Sequence, residues 1–293
     1  MSTSKPVVLV TGCSKGGIGF SLCEEFASRG CIVYATARRL DAMQGFSHPD
    51  IHTLALDVTN DDNVREVVQA VIEREGRIDV LVNNAGLGST GKSLSRFARA
   101  VIDVDMQEVA RMFDTNVYSV IRMAKAVIPH MAARKSGTIV NVGSIAGEIP
   151  IPWGGIYAAT KAALHSLSET LYMECKPLHI HVLLLAPGAV KSNIASNQAE
   201  RVQLPAGTLY AAYADAVLAK LTMGQRSSPT PTDAFSRQVV DAVLRKPAPP
   251  RYLTLASMST TYWILRWFPR TWVLNLFWKR MGEGPRLAAQ KRK

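Results

Sequence analysis

Three side chains at fixed spacing carry the strongest chemical signal in this chain: Ser144, Tyr157 thirteen residues later, and Lys161 four residues beyond that. Positions i and i+4 share one helix face, with Cβ atoms about 5–6 Å apart. A phenol alone has a pKa of about 10 and is a sluggish acid or base at neutral pH. A fixed neighbouring cation favours the phenolate and lowers that pKa. A phenol tuned in this way can exchange a proton with a substrate oxygen while hydride moves at the adjacent carbon, a transfer worth about 10²–10⁴-fold in rate. Tyr-x-x-x-Lys is also the pattern of an ordinary amphipathic helix, so its meaning depends on the elements that position it.

Those elements alternate. Short apolar runs at Val7–Val10, Cys31–Thr36, Thr53–Leu56, Ile78–Val82, Thr138–Val142 and Ile180–Leu185 read as strands, and Tyr252–Leu255 as a short seventh. Helical spacing lies between them at Ile18–Arg29, Val64–Glu75, a long Met106–Ala133, and Tyr157–Cys175, which carries the motif. Near-continuous apolar strands separated by helices predict a parallel sheet covered on both faces. The expected fold is therefore a single-domain, doubly wound α/β sheet over residues 1–256, with ligands at the carboxyl ends of its strands. Residues 193–235, polar and small with three prolines, read as an excursion over the site or as a plain surface loop.

The first strand runs into Thr11-Gly-Cys-Ser-Lys-Gly-Gly-Ile-Gly19, and a helix follows. Glycines at such a turn let the backbone approach a pyrophosphate, to which the helix N-terminus presents amides and a positive dipole end. Gly12, Ser14, Lys15, Gly17, Ile18 and Gly19 are the candidate contacts. Dinucleotide folds place an acid after strand two to hold the ribose 2′-hydroxyl. Here the chain reads Tyr34-Ala-Thr-Ala-Arg-Arg39, with no acid. Arg38 and Arg39, with Lys15, offer phosphate-binding cations instead, and the cofactor expected is NADP(H). Two solvated surface arginines are the alternative.

Taken together these residues resemble the short-chain dehydrogenase/reductase family. Thr11-Gly-x4-Gly-Ile-Gly19 is similar to its cofactor loop with one residue more than the commonest spacing, and Asn83-Asn-Ala-Gly86 to its signature after strand four. Asp57 and Val58 match the adenine contact, and Pro187, Gly188, Val190 and Ser192 match the segment near the nicotinamide. Asn116, Ser144, Tyr157 and Lys161 match the catalytic set. The resemblance implies Tyr157 as general acid, Ser144 on the substrate carbonyl, and Lys161 on the nicotinamide ribose. It implies that Asn116 holds a water linking Lys161 to solvent. Asn83, Ala85 and Gly86, with Tyr157 and Lys161, complete the cofactor set it implies, and it brings no metal.

Within the family the chain looks most like the fungal 1-acyldihydroxyacetone-phosphate reductase branch. That implies NADPH-dependent reduction of a ketone on an apolar or lipid-like substrate. Hydroxysteroid, retinoid and secondary-metabolite oxidoreductases share much of the pattern, and a non-catalytic NADP(H)-binding interaction protein is a more distant alternative. The family's usual dimer surface, helices 106–133 and 157–175, implies a homo-oligomer, dimer or tetramer. The chain departs from the branch between Gly86 and Asn116, where Gly88–Arg99 reads as an insertion beside the substrate space. Its Lys92, Arg96 and Arg99 either meet a substrate phosphate or form a solvated helix face.

Charge is uneven along the chain. The net charge is +11, and from Arg266 to the end eight basic residues face Glu283 alone. The body shows no nucleic-acid recognition pattern. Four cysteines lack disulfide or metal-ligand spacing, and Met1–Pro6 runs straight into a strand, so a cytoplasm-facing body with reduced thiols is expected. The stretch 257–293 reads as a separate Trp-rich basic extension: Trp263, Trp267, Trp272 and Trp278 are four of the five tryptophans. Its longest uncharged run, Tyr252–Leu265, has 14 residues, short of the roughly 18 that a spanning helix needs. Trp with flanking cations suits a membrane interface. That predicts peripheral contact through 258–280, on an endoplasmic reticulum or lipid droplet surface. The competing expectation is a tail packed on the body, on a partner subunit or over the substrate mouth.

Overall fold

A computed structural model describes residues 5–88, 99–191, 204–226 and 228–284. Strands β1 (Val7–Thr11), β2 (Ile32–Ala37), β3 (Ile51–Ala55), β4 (Val80–Asn83), β5 (Gly137–Val142), β6 (Ile180–Leu185) and β7 (Tyr252–Leu253) form one sheet in the order β3-β2-β1-β4-β5-β6-β7. Every pairing is parallel. The order reverses between β1 and β4, which opens the crevice where doubly wound sheets bind ligands. The expected α/β class, a doubly wound sheet followed by a C-terminal amphipathic extension, is the observed one.

Alternate side chains along each strand serve opposite layers, so both must be apolar. Val8 and Val10 pack with Phe26 of α1 (Ile18–Ser28) and with Phe235 and Val239 of a helix introduced below. Val7 and Leu9 pack on the other face against Val64 and Val68 of α2 (Asp61–Glu75), together with Met123 and Val127. The start of α2 is set by Asn60, whose side chain accepts from the Asn63 amide, and its end by Gly76 at φ 73°. Both are ordinary helix-end devices.

Two differences from the sequence reading bear on the site. The predicted helix 106–133 is interrupted: α3 (Met106–Phe113) passes through a π-helical turn, Asp114–Tyr118, into α4 (Ser119–Ala133). The segment read as a polar excursion, 193–235, is partly helical. It contains α6 (Ala214–Arg226) and the first turn of α7 (Thr232–Val243). Pro231, read as a loop marker, sits at the N-cap of α7, where a fixed φ suits a helix entry. Phe235 is fully buried in the sheet layer, so the residues after Pro231 belong to the core and not to a lid. The catalytic helix between these regions, α5, spans Gly155–Cys175. Two short helices follow β7: α8 (Ser259–Leu265) and α9 (Arg270–Trp278).

Candidate active site

The glycine-rich loop is locked to the loop after β4 by side chains that the sequence reading passed over. The Thr11 hydroxyl accepts the amides of Asn84 and Ala85, both at 3.0 Å. The Asn84 amide group donates to the carbonyls of Thr11, at 2.8 Å, and Gly12, at 3.0 Å. The closeness of these loops explains two glycines. A Cβ on Gly12, which has φ 76°, would lie 2.7 Å from the Ala85 Cα, and one on Gly19 would lie 2.6 Å from the Gly12 carbonyl oxygen. Gly17 caps α1, whose first turn holds no acid, so its amides and dipole favour an anion. Ser14 supports the turn by accepting the Gly17 amide on its backbone carbonyl, and Ile18 opens the helix.

Around this cradle the cations are where the sequence placed them. Arg38 and Arg39 are exposed at the end of β2, and Lys15 is exposed across from them beside Gly45. Arg39 lies 3.5 Å from Asp41, which leaves Arg38 and Lys15 as the less encumbered pair. Asp57 follows β3. Burial pushes its carboxyl pKa up, but the hydroxyl and amide of Thr59 and the nearby Arg38 outweigh that, and the net direction is down. Asn83 is buried and turned inward. Its side chain donates to Asn141, which donates to Ser168 on α5, so only its backbone can face the crevice. The cradle, the dipole end and the cations fit a phosphorylated dinucleotide.

Tyr157, Lys161 and His165 recur every four residues along α5. The Lys161 ammonium is buried, donates to the Val142 carbonyl at 2.8 Å and lies 5.8 Å from the Tyr157 ring centre. Burial alone lowers its pKa to about 8. Asn116 sits in the π turn, a geometry that often marks functional positions. Its amide group donates to the Leu87 carbonyl and the Thr160 hydroxyl, both at 3.0 Å, and its oxygen accepts the Leu87 amide at 2.7 Å. It thus ties the loop after Gly86 to α5. A Cβ on Gly86 would stand 3.4 Å from that same oxygen and 3.8 Å from the Lys161 nitrogen.

Ser144 follows β5 and caps a short 3-10 turn by accepting the Ala146 amide. His165 braces it from below. Its Nε2 accepts the Ser144 amide at 3.3 Å, and Nδ1 lies 3.3 Å from Glu148. Nε2 therefore carries the lone pair and Nδ1 the proton, which is donated to the carboxylate. His165 holds the Glu148 carboxyl below its ordinary pKa. A Cβ on Gly143 or Gly147 would collide with the imidazole, at 2.4 and 2.8 Å. The sequence reading missed His165. The available signal was its position four residues after Lys161, on the same helix face.

Pro187 and Gly188 close the far wall. The Pro187 carbonyl accepts the Ile145 amide, and a Cβ on Gly188 would fall 1.9 Å from the Ser257 carbonyl oxygen. Val190 bridges to Thr230. Ser192, Lys92 and Arg96 lie outside the described residues, and Arg99 is partly buried. Trp153, between Ser144 and Tyr157, has φ 64° and is ringed by Tyr210, Tyr213 and Trp278 at centroid distances of 5.5, 5.6 and 6.0 Å. The tail docks beside it. Tyr262, Val273, Phe277 and Met281 pack on Ile149, and Arg270 donates to the Glu148 carbonyl.

Known proteins resemble this chain in sequence and fold. The short chain dehydrogenase family profile matches residues 6–203. A short-chain dehydrogenase of Aspergillus ruber, fogD, is 37% identical over 285 residues, covering 96% of this chain and 95% of its own. The NADPH-dependent 1-acyldihydroxyacetone phosphate reductase of Schizosaccharomyces pombe is 38% identical over 72% of this chain and 70% of its own. A crystal structure of a short-chain dehydrogenase from Streptomyces avermitilis superposes with a TM-score of 0.76 at 29% identity, covering 99% of each chain.

Proposed function

The chain belongs to the short-chain dehydrogenase family, and on that premise we propose that it reduces a ketone to a secondary alcohol on an apolar or lipid-like substrate, 1-acyldihydroxyacetone phosphate being the model. It is an NADP(H)-dependent oxidoreductase: Arg38 and Lys15 would take the 2′-phosphate, the Gly12–Gly19 loop the pyrophosphate, and Tyr157 and Lys161 the nicotinamide ribose. NADPH, when bound, supplies the hydride for the carbonyl carbon. Ser144 donates a hydrogen bond to the carbonyl oxygen, and Tyr157 gives that oxygen its proton. Lys161 favours the phenolate left behind, and Asn116 would hold the water that returns a proton from solvent.

One observation carries this reading: the buried Lys161 ammonium, pinned by the Val142 carbonyl, lies 5.8 Å from the Tyr157 ring. An apolar substrate is in keeping with the aromatic cluster of Trp153, Tyr210 and Tyr213 packed just ahead of α5. The S. pombe relative's name supports the substrate class. Two contacts belong to the same proposal. Tyr118, Ile121 and Met173 are exposed on the α3–α4 and α5 side, which supports a homo-oligomer. Trp263, Trp267, Phe268 and Trp272 are exposed on the tail, which supports peripheral contact with a cytoplasm-facing membrane of the endoplasmic reticulum or a lipid droplet. Among the described residues no helix is long and apolar enough to cross a membrane.

The test is NADPH consumption with a panel of apolar ketones. Wild type should turn over with NADPH and poorly with NADH. Tyr157→Phe should lose about 10²–10⁴-fold in kcat while NADPH still binds, with its Kd raised by no more than about tenfold for the lost ribose hydrogen bond. A preference for NADH, or a Phe variant of equal activity, overturns the reading.

A further inference from the structure

Helix α5 begins as a cationic site without an anion. Its N-cap is Gly154, no side chain caps it, and its first turn has no acid. The amides of Gly155 and Ile156 have no partner among the described residues. A helix start of this kind carries about half a positive charge. Onto it comes a second positive group. Ala216 and Val217 of α6 are buried against Trp153 and Ala100, and Lys220, three and four residues on, shares their inward face. Its ammonium lies 2.6 Å from where a Cβ of Gly154 would be. The residue as a whole is partly buried and its ammonium is the enclosed end; no hydrogen bond or carboxylate meets it among the described residues, and burial depresses its pKa, to about 8. An isolated buried cation is costly, and placing it at the positive end of a helix adds to the cost. An oxyanion seated between the two would relieve both.

We propose that Lys220 and the N-terminus of α5 form a subsite for an anionic group of the substrate, a carboxylate or phosphate carried a few bonds from the reacting carbonyl. The geometry connects the subsite to the chemistry. Gly154 precedes Tyr157 by three residues, roughly 4.5 Å along the axis. Helical side chains lean toward the N-terminus, the end of α5 at which the Lys220 ammonium sits. A ketone oxygen at Tyr157 and an oxyanion at Lys220 then define one substrate with an apolar remainder along Trp153. Lys220 is a substrate-binding residue on α6, and it selects acidic ketones over neutral ones. This rests on the reductase reading above.

The experiment uses a matched pair of ketones, one bearing a phosphate monoester and one the uncharged alcohol in its place, with wild type, Lys220→Met and Lys220→Arg. Lys220→Met should cost about 10–100-fold in kcat/KM on the phosphorylated ketone, mostly through KM, as expected for a charged hydrogen bond. It should change the neutral ketone by less than about threefold, and Lys220→Arg should restore most of the loss. A second readout needs no turnover. With the 2′-phosphate site filled by saturating NADP+, added sulfate should raise the Tm of wild type and not of Lys220→Met. The variant should start from an equal or higher Tm, since it removes an unpaired buried charge. Equal losses on the two ketones overturn the assignment to the substrate's own group, even if sulfate binds. Absence of a Lys220-dependent sulfate shift overturns the subsite. A wild type inert toward both ketones but stabilised by sulfate through Lys220 would count against the reductase reading and in favour of the anion site.

Discussion

At the scale of single residues, the site depends on charges held out of water. Lys161 keeps its ammonium beside Tyr157 although burial lowers its pKa to about 8. Its charge is present below that pH and lost as pH rises through it, and the support it gives to the phenolate is lost with it. Reduction should therefore slow above about pH 8, as an apparent titration of the Tyr157–Lys161 pair rather than of either group. A pH profile of kcat/KM that stays flat to pH 9.5 would contradict this. Stability follows the same titration with a different sign. Below about pH 8 both folded and unfolded chains hold the proton and the desolvation cost is present in full. Between there and the unfolded value near 10.5 only the unfolded chain holds it, so the cost is progressively relieved. The Tm difference between Lys161→Met and wild type should accordingly shift in favour of wild type as pH rises from 8 to 10. Thermal denaturation at three pH values measures it.

At the scale of elements, what the sequence made legible was whatever repeats with a period or sits at a strand end. All seven strands and the helices at 18–29, 64–75 and 157–175 could be read, because parallel strands buried on both faces leave long apolar runs. Gly12, Arg38 and Ser144 could be placed because each follows a strand, Gly19 because it closes the same glycine string, and Tyr157 because it stands four residues before Lys161 on one helix face. The links between these parts were not legible. Thr11 and Asn84, which join the two cofactor loops, look like any polar turn residues. The π turn that places Asn116 has no signature in sequence. Helix α6 was hidden by neighbouring prolines and small residues, and so was the inward face that carries Lys220. Gly188 shows how strict such links are. Its missing side chain admits the Ser257 carbonyl and lets β6 pass into the segment that pairs with Leu255 and Ser257. Gly188→Ala has to separate these strands. We expect a loss of about 3 kcal/mol, the upper end for overpacking, read as a lower denaturation midpoint with weakened NADPH binding. Unchanged stability would mean that the strand junction yields freely.

At the scale of the whole molecule, the helices of the tail have two faces with different surroundings. The inner face is core: Val273 and Phe277 are buried and Trp278 reaches the Trp153 cluster. The outer face is apolar and uncovered: Trp267 is 73% exposed and Trp272 50% exposed, with Phe268 stacked on Trp272 at 5.4 Å. Lys279 and Arg280 are exposed at its end, while Arg270 is held by the Glu148 carbonyl. The two faces should therefore respond differently to mutation. Phe277→Ala opens a cavity against Ile149 and Tyr262 and should cost about 3–5 kcal/mol of stability, with activity lost through the loop at Glu148. Trp267→Ser with Trp272→Ser removes no packing from the inner face and should leave Tm and turnover of a soluble ketone unchanged. It should still weaken binding to vesicles containing anionic phospholipid by about tenfold or more, because interfacial tryptophans and flanking cations act together. The cationic share of that binding should weaken as salt rises. Co-sedimentation decides the matter. Wild type that stays in the supernatant with such vesicles, or a double variant that sediments as well as wild type, would leave the outer face without a membrane role.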